Sequence, residues 1–203
     1  MNNSRSFFID FAKSFSGAGA SGERASEYKN LLTRGGFEPA QVQMDMMKMS
    51  SCALFIRSLW WFFGLDHPLY EKPYRSGLAV VDVLKIAKDN GAYIPGWTLS
   101  ASRYPRAGDV FYLSQDSGKQ EHFGLIINEV RATPCLWTYE TVEGGQGVGG
   151  RFIETLSRTL GKSRGVYGSI GNRLMAAWID FDRLHLPGLR EGLSSSSASP
   201  SSC

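Results

Sequence analysis

The spacing of apolar residues changes after Gly91, and this change restricts the fold more than any other feature of the sequence. Up to that point apolar residues recur at helical intervals, as in the amphipathic segment 77–90, which predicts a helix. Beyond it come short apolar runs separated by Gly, Pro, Asn and Ser, a pattern typical of strands joined by turns. The predicted strands are 109–113, 122–130, 136–143, 152–160 and 174–181. Helices followed by an antiparallel meander predict an α+β fold.

The segment 52–63 is apolar on nearly every side, which predicts a helix in the middle of the fold. Ser50 and Ser51 precede it, as N-capping serines do, and Gly64 ends it. Cys52 then lies in the first turn, where the positive end of the helix dipole favours a reactive thiolate. A buried structural cysteine is the alternative interpretation of Cys52 taken alone.

The next candidate is His122, which opens a predicted strand. If this strand turns through 131–134 and returns at residue 135, Glu143 lies directly opposite His122. Opposed residues share a face of the sheet, with Cβ atoms about 5 Å apart. Glu143 can therefore orient the imidazole and stabilise its charge, as the third member of a catalytic triad does.

The register of this hairpin is open to a shift of two residues, which would bring Thr141 or Gly145 across from the histidine instead. Because side chains alternate between the two faces of a strand, Glu140 is predicted to face away.

Length and composition limit the architecture and the partners. The chain has 203 residues, 42% of them hydrophobic, which suits one core. We expect a single domain over 1–188, in which 1–49 form a helical N-terminal extension, and a Ser-rich disordered tail over 189–203. The net charge of +3, with no polybasic run, argues against nucleic acid as a partner. The longest apolar run, 59–65, is far shorter than the roughly 20 residues of a membrane span.

Neither a cofactor nor a metal is expected. The three cysteines are odd in number and far apart, which is not a disulfide framework and indicates a reducing compartment. Cysteines and histidines lack the close spacing of zinc ligands. The run 145–150 satisfies G-x-G-x-x-G, but neither a following helix nor the acidic residue of a dinucleotide site accompanies it.

Four segments together resemble the CHAP and NlpC-type superfamily of papain-like amidases and peptidases. They are Ser51-Cys52 at a helix start, PRAGDVFY at 105–112, EHFGLII at 121–127 and TVEGG at 141–145. The match covers about 50–143, and 174–184 resembles the closing strand. The resemblance implies a cysteine helix packed on an antiparallel sheet, with Cys52 as nucleophile, His122 as base and Glu143 as the orienting acid. CHAP members often carry Asn at the position of Gly145, so this helper residue is either absent here or replaced by Gln146.

The resemblance also implies a reaction, cleavage of peptide or amide bonds in bacterial peptidoglycan, by a wall hydrolase or an antibacterial effector. The alternatives are a papain-like toxin or deamidase acting on a protein, and a catalytically inactive binding module. Asp10 and Lys13 interrupt any signal peptide, so we expect synthesis in the bacterial cytoplasm, export without a signal peptide, and an immunity or delivery partner. The predicted substrate-binding residues are Ser51, Trp97, Trp137 and Gln146.

Overall fold

The computed structural model describes residues 3–34, 52–71, 79–100, 102–114, 121–133, 136–146, 152–163, 166–170 and 173–190. Ser51, which is predicted to bind substrate, and the segment 191–203 of the predicted tail lie outside the described residues.

The described part of the chain contains four α-helices: α1 (Asn3–Lys13), α2 (Ala25–Arg34), α3 (Cys52–Phe62) and α4 (Ala79–Asp89). In α3 every side chain is buried except that of Trp61, as its almost uninterrupted apolar sequence predicts. In α4 the buried positions Ala79, Val83, Ile86 and Ala87 follow the helical repeat and form one stripe. Both helices begin and end within about two residues of the predicted positions.

Seven strands within the described ranges form one antiparallel sheet: β1 (Tyr93–Pro95), β2 (Val110–Ser114), β3 (His122–Thr133), β4 (Leu136–Gln146), β5 (Phe152–Ser163), β6 (Val166–Ile170) and β7 (Arg173–Ile179). Strands β2 to β7 close into a ring, because Leu174 pairs both with Ser169 on β6 and with Ser114 on β2. Strand β1 pairs with β7 outside this ring. The α+β prediction is confirmed, while β1, β6 and the closure of the sheet into a barrel were not predicted.

Closure divides the core in two, because alternate side chains of each strand point into and out of the barrel. The inner cluster includes Phe111, Leu113, Ile126, Trp137 and Tyr139. The outer cluster joins Val110, Tyr112, Phe123, Leu125 and Val142 to the buried side chains of the helices. Helix α3 packs on β3 and β4, and α2 and α4 pack on α3.

The N-terminal helices belong to this same outer core. Phe8 of α1 and Leu31 of α2 are fully buried within it. The chain between these helices also pairs with β5, since Gly17 N–H donates to Ile153 O at 2.7 Å and Ile153 N–H donates to Ala18 O at 2.8 Å. Helices α1 and α2, in the described part of the N-terminal extension, are therefore packed into the same core as α3.

Among the described residues, no helix is long and apolar enough to cross a membrane.

Candidate functional site

The predicted nucleophile and the predicted base meet at the rim of the barrel. Cys52 is the first residue of α3, and His122 is the first residue of β3. The packing of α3 on β3 brings the two side chains into a hydrogen bond. Both residues are buried, with exposed fractions of 1% for Cys52 and 4% for His122. The helix start and the strand start thus place a thiol against an imidazole in a nearly dry environment.

Glu143 occupies the other side of the imidazole. His122 Nε2 lies 2.6 Å from Glu143 Oε2, and Glu143 has no exposed surface. Because Nε2 faces this carboxylate, Nδ1 is the ring nitrogen left for Cys52. The three side chains therefore form one line of hydrogen bonds, thiol to imidazole to carboxylate, and the predicted contact between His122 and Glu143 is confirmed.

The register that produces this contact differs from the predicted one. Thr133 pairs with Leu136 at the turn, and the pairing then shifts once between 129 and 131 and again between 126 and 128. Leu125 consequently pairs with Val142, so the next position, Gly124 rather than His122, faces Glu143. The predicted pairing was wrong by two residues, a shift that keeps every side chain on its face.

Gly124 makes the diagonal contact between His122 and Glu143 possible. A Cβ atom at this position would lie 2.3 Å from Phe111 Cζ and 2.8 Å from Glu143 Cγ, both shorter than any normal contact. With no side chain there, the carboxylate of Glu143 passes over Gly124 and reaches the ring. Glu140, three residues before Glu143 on the same strand and of opposite parity, is exposed and accepts a hydrogen bond from Asn128 Nδ2 at 3.2 Å, which confirms that it faces away.

The carboxylate of Glu143 accepts hydrogen bonds from four side chains. Arg158 on β5 makes two of them, from Nε to Oε1 at 2.8 Å and from Nη2 to Oε2 at 2.7 Å. Thr141 Oγ1 donates to Oε1 at 2.6 Å, and Gln146 Nε2 donates to Oε2 at 3.2 Å. Because His122 also bonds to Oε2, each carboxylate oxygen accepts more than one hydrogen bond. Such a site holds a carboxylate ionised and fixes its orientation.

Both titratable groups of this pair have displaced pKa values. Burial alone raises the pKa of Glu143, but hydrogen bonds from Arg158 and His122, together with their positive charges, lower it to about 2. Burial alone lowers the pKa of His122, but hydrogen bonds with Cys52 and Glu143, together with their negative charges, raise it to about 9. At neutral pH the arrangement therefore favours an imidazolium held between the sulfur and the carboxylate.

Gln146, which is predicted to bind substrate, contacts the histidine and the glutamate instead of standing apart from them. Its Nε2 lies 3.3 Å from His122 Nε2 and 3.2 Å from Glu143 Oε2. The histidine nitrogen carries the proton that it shares with Glu143, and two donors do not bond to each other. The amide hydrogen bond of Gln146 therefore goes to Glu143.

The two predicted tryptophans lie in opposite environments. Trp97 is 78% exposed and lies in a short 3₁₀ helix, Gly96–Thr98, which packs beside Met175. Met175 pairs with Leu113, and Leu113 pairs with His122, so Trp97 lies at the same end of the barrel as the histidine. Trp137 is 1% exposed and belongs to the inner cluster. The prediction that Trp137 lines an open groove is wrong, because closure of the barrel buries the inner face of β4.

Three features of the site were not predicted from the sequence: Arg158, the hydrogen bond from Thr141 to Glu143, and the role of Gly124. A signal for Arg158 was present, because it alternates with Leu156 and Leu160 and so shares their inward face. An arginine on the inner face of a strand requires an acidic partner. The described residues contain no cluster of His, Cys, Asp or Glu that could hold a metal ion.

Comparisons of the chain with protein-family models, with curated proteins and with solved structures found no match.

Proposed function

We propose that this protein is a papain-like cysteine hydrolase that cleaves an amide or peptide bond. The observation that carries the proposal is the continuous line of hydrogen bonds from Cys52 through His122 to Glu143, with the cysteine on the first turn of a buried helix. A helix N-terminus favours a thiolate, and a flanking imidazolium stabilises it further. The low pKa of Glu143, about 2, keeps the charge that supports the imidazolium.

The geometry suits a two-step reaction. Cys52 Sγ attacks the carbonyl carbon, and the negative charge that develops on the carbonyl oxygen is met by the backbone N–H of Cys52 at the helix start. His122 then gives its Nδ1 proton to the leaving nitrogen as the C–N bond breaks, which leaves a thioester. Water attacks the thioester, His122 takes a proton from it, and a carboxylic acid leaves as the thiolate reforms.

Peptidoglycan peptides are the substrate class that the sequence motifs favour, for a wall hydrolase or an effector exported from the bacterial cytoplasm. The exposed ring of Trp97, at the same end of the barrel as His122, is available to pack against such a substrate. The same three residues would serve a toxin or deamidase acting on a protein side chain. A binding module that has lost catalysis would need no activated thiolate.

The experiment that separates an activated thiolate from a structural cysteine is alkylation with limiting iodoacetamide, read by peptide mass spectrometry. We expect Cys52 to be alkylated faster than Cys203, the reference, and the His122→Asn variant to lose this advantage. Because Cys52 is only 1% exposed, the same measurement shows whether its thiol is accessible in the folded protein. Alkylation of Cys52 only after unfolding would contradict the proposal.

The reaction is tested by incubating purified sacculi, and separately a denatured protein mixture, with the protein and with its Cys52→Ala variant. We expect new amine or carboxyl termini in the sacculi, found by mass spectrometry of the soluble fragments, and none with Cys52→Ala. New termini or deamidated side chains in the protein mixture alone would favour the toxin or deamidase instead. Equal activity of Cys52→Ala on any substrate would exclude the mechanism.

A further inference from the structure

A cavity of about 370 Å³ opens at the end of the barrel away from the Cys52–His122 site. It lies beside Asp109, just before β2, and Asp180, just after β7, whereas His122 faces Leu113 at the other end of β2. Four residues of strand separate the two ends, which is about 14 Å. The cavity shares none of its lining residues with the candidate catalytic site.

Three arginine side chains take part in the lining of this cavity. Arg103, Arg106 and Arg183 all contribute to it, and all three are exposed. Arg183 Nε is paired with Asp180 Oδ2 at 3.3 Å. The distance from Arg106 Nη2 to Asp182 Oδ2 is 3.9 Å, which is long for an ion pair. Arg103 makes no ion pair with any residue in the described part of the chain. Among the described residues, the lining therefore contains one guanidinium without an ion-pair partner and a second that is weakly paired.

The two acidic residues of the lining are already satisfied by the protein itself. Asp109 accepts from Arg106 N–H at 2.9 Å and from Phe181 N–H at 3.1 Å, and Arg5 lies 3.4 Å away. Asp180 accepts from Asp182 N–H at 3.0 Å in addition to its pair with Arg183. Their carboxylates thus hold the loops in place, and the charge left for a ligand is positive.

The wall of the cavity adds an apolar surface. Ile94 and Trp178 line the cavity and are almost fully buried. Tyr104, also in the lining, packs against Trp137 with ring centroids 6.4 Å apart. The buried Trp137 Nε1 and Tyr139 hydroxyl have no hydrogen-bond partner among the described residues. Neither of these two groups belongs to the lining, so the contacts proposed for the ligand do not include them.

We propose that this cavity binds a small organic anion, a carboxylate or phosphate ester that carries a flat apolar group. The anionic oxygens bind Arg103 and Arg106, since guanidinium groups bind oxyanions through paired N–H donors. The flat group packs against the half-buried ring of Tyr104, and Trp178, which is only 2% exposed, offers no more than an edge. The proposal is independent of the hydrolase reaction, because it uses none of the same residues.

Three probes separate the contributions of charge and apolar surface: phenyl phosphate carries both, inorganic phosphate only the charge, and benzyl alcohol only the ring. Their binding is measured by isothermal titration calorimetry at low ionic strength. The side-chain N–H resonances of Trp137 and Trp178 are followed in parallel by NMR. We expect phenyl phosphate to bind most tightly and to shift at least one of the two resonances.

The variant Arg103→Gln removes a charge that has no ion-pair partner among the described residues. The control Lys85→Gln on α4, outside the lining, makes the same change of charge and breaks only the exposed pair with Asp89. We expect Arg103→Gln to weaken the binding of phenyl phosphate roughly tenfold with an unchanged melting temperature, and Lys85→Gln to leave it unaltered. Equal weakening by both variants would show a general charge effect and overturn the proposal. So would inorganic phosphate binding as tightly as phenyl phosphate, or no binding of phenyl phosphate at millimolar concentration.

Discussion

Replacement of Arg158 by glutamine tests whether the ionised state of Glu143 controls the reactivity of Cys52. Arg158 is a positioning residue, because it contacts Glu143 and not the histidine or the thiol. Glutamine removes the positive charge and the paired donors, while Thr141 and Gln146 remain as donors to the carboxylate. Without the arginine, the dominant effect on the Glu143 pKa is burial, which raises it.

The size of the effect follows from the exposure of the two partners. Breaking a fully buried ion pair costs about 3–5 kcal/mol. The Arg158 side chain is 20% exposed and Glu143 is not exposed, so water offsets part of this cost. We expect a loss of about 2–3 kcal/mol in the free energy of unfolding and a rise of roughly two units in the pKa of Glu143.

The assay is the rate of Cys52 alkylation as a function of pH, which needs no substrate. A protonated Glu143 no longer stabilises the imidazolium, so the acid limb of the profile should move to higher pH by roughly one to two units in Arg158→Gln. Arg158→Lys keeps the charge but loses the paired hydrogen bonds, so its profile should lie between those of the original protein and Arg158→Gln. Arg24→Gln, which breaks an exposed arginine–glutamate pair with Glu27, is the matched control and should leave the profile unchanged. A profile of Arg158→Gln that superimposes on the original would refute the reasoning.

Two further predictions concern the same site. Glu143→Gln should reduce kcat by roughly 10²–10⁴, as loss of an orienting acid does, whereas Glu140→Gln, on the exposed face, should change it little; kcat and the urea midpoint measured together separate catalysis from stability. The raised pKa of His122 stabilises the fold fully below pH 6.5, and this contribution is lost as the pH rises towards about 9. The lowered pKa of Glu143 stabilises the fold above pH 4.5, and this contribution is lost as the pH falls towards about 2. Urea midpoints should therefore decline on both sides of that interval, and an alkaline decline of equal size in His122→Asn would count against this assignment.

Periodicity alone was sufficient for the parts of the fold that depend on which face a residue occupies. Cys52 was correctly placed at the start of a buried helix because the run after it is apolar in every direction. Glu143 and Glu140 were assigned to opposite faces of β4 because alternation survives any shift of two residues. Features of this kind depend only on residues that are close together in the sequence.

Closure of the barrel was not predictable in the same way, because it depends on contacts between distant strands. The ring closes through Leu174, Ser169 and Ser114, and β6 shows no regular apolar alternation that would identify it. The error on Trp137 follows directly. On an open sheet its face could border a groove, whereas in a closed barrel the same face is the interior.

The two register shifts in β3 explain why the contact between His122 and Glu143 was predicted correctly from a wrong pairing. The pairing of Thr133 with Leu136 at the turn, continued without interruption, would place Glu143 opposite Ile126, four residues from His122. Each shift adds one residue to β3 relative to β4, so together they bring Glu143 opposite Gly124, two residues from His122 and on the same face. A side chain at 124 would still separate the carboxylate from the ring. Because Gly124 has no side chain, Glu143 Cγ can pass close to that position. The shifted register and the glycine therefore act together, because the diagonal contact at 2.6 Å requires both.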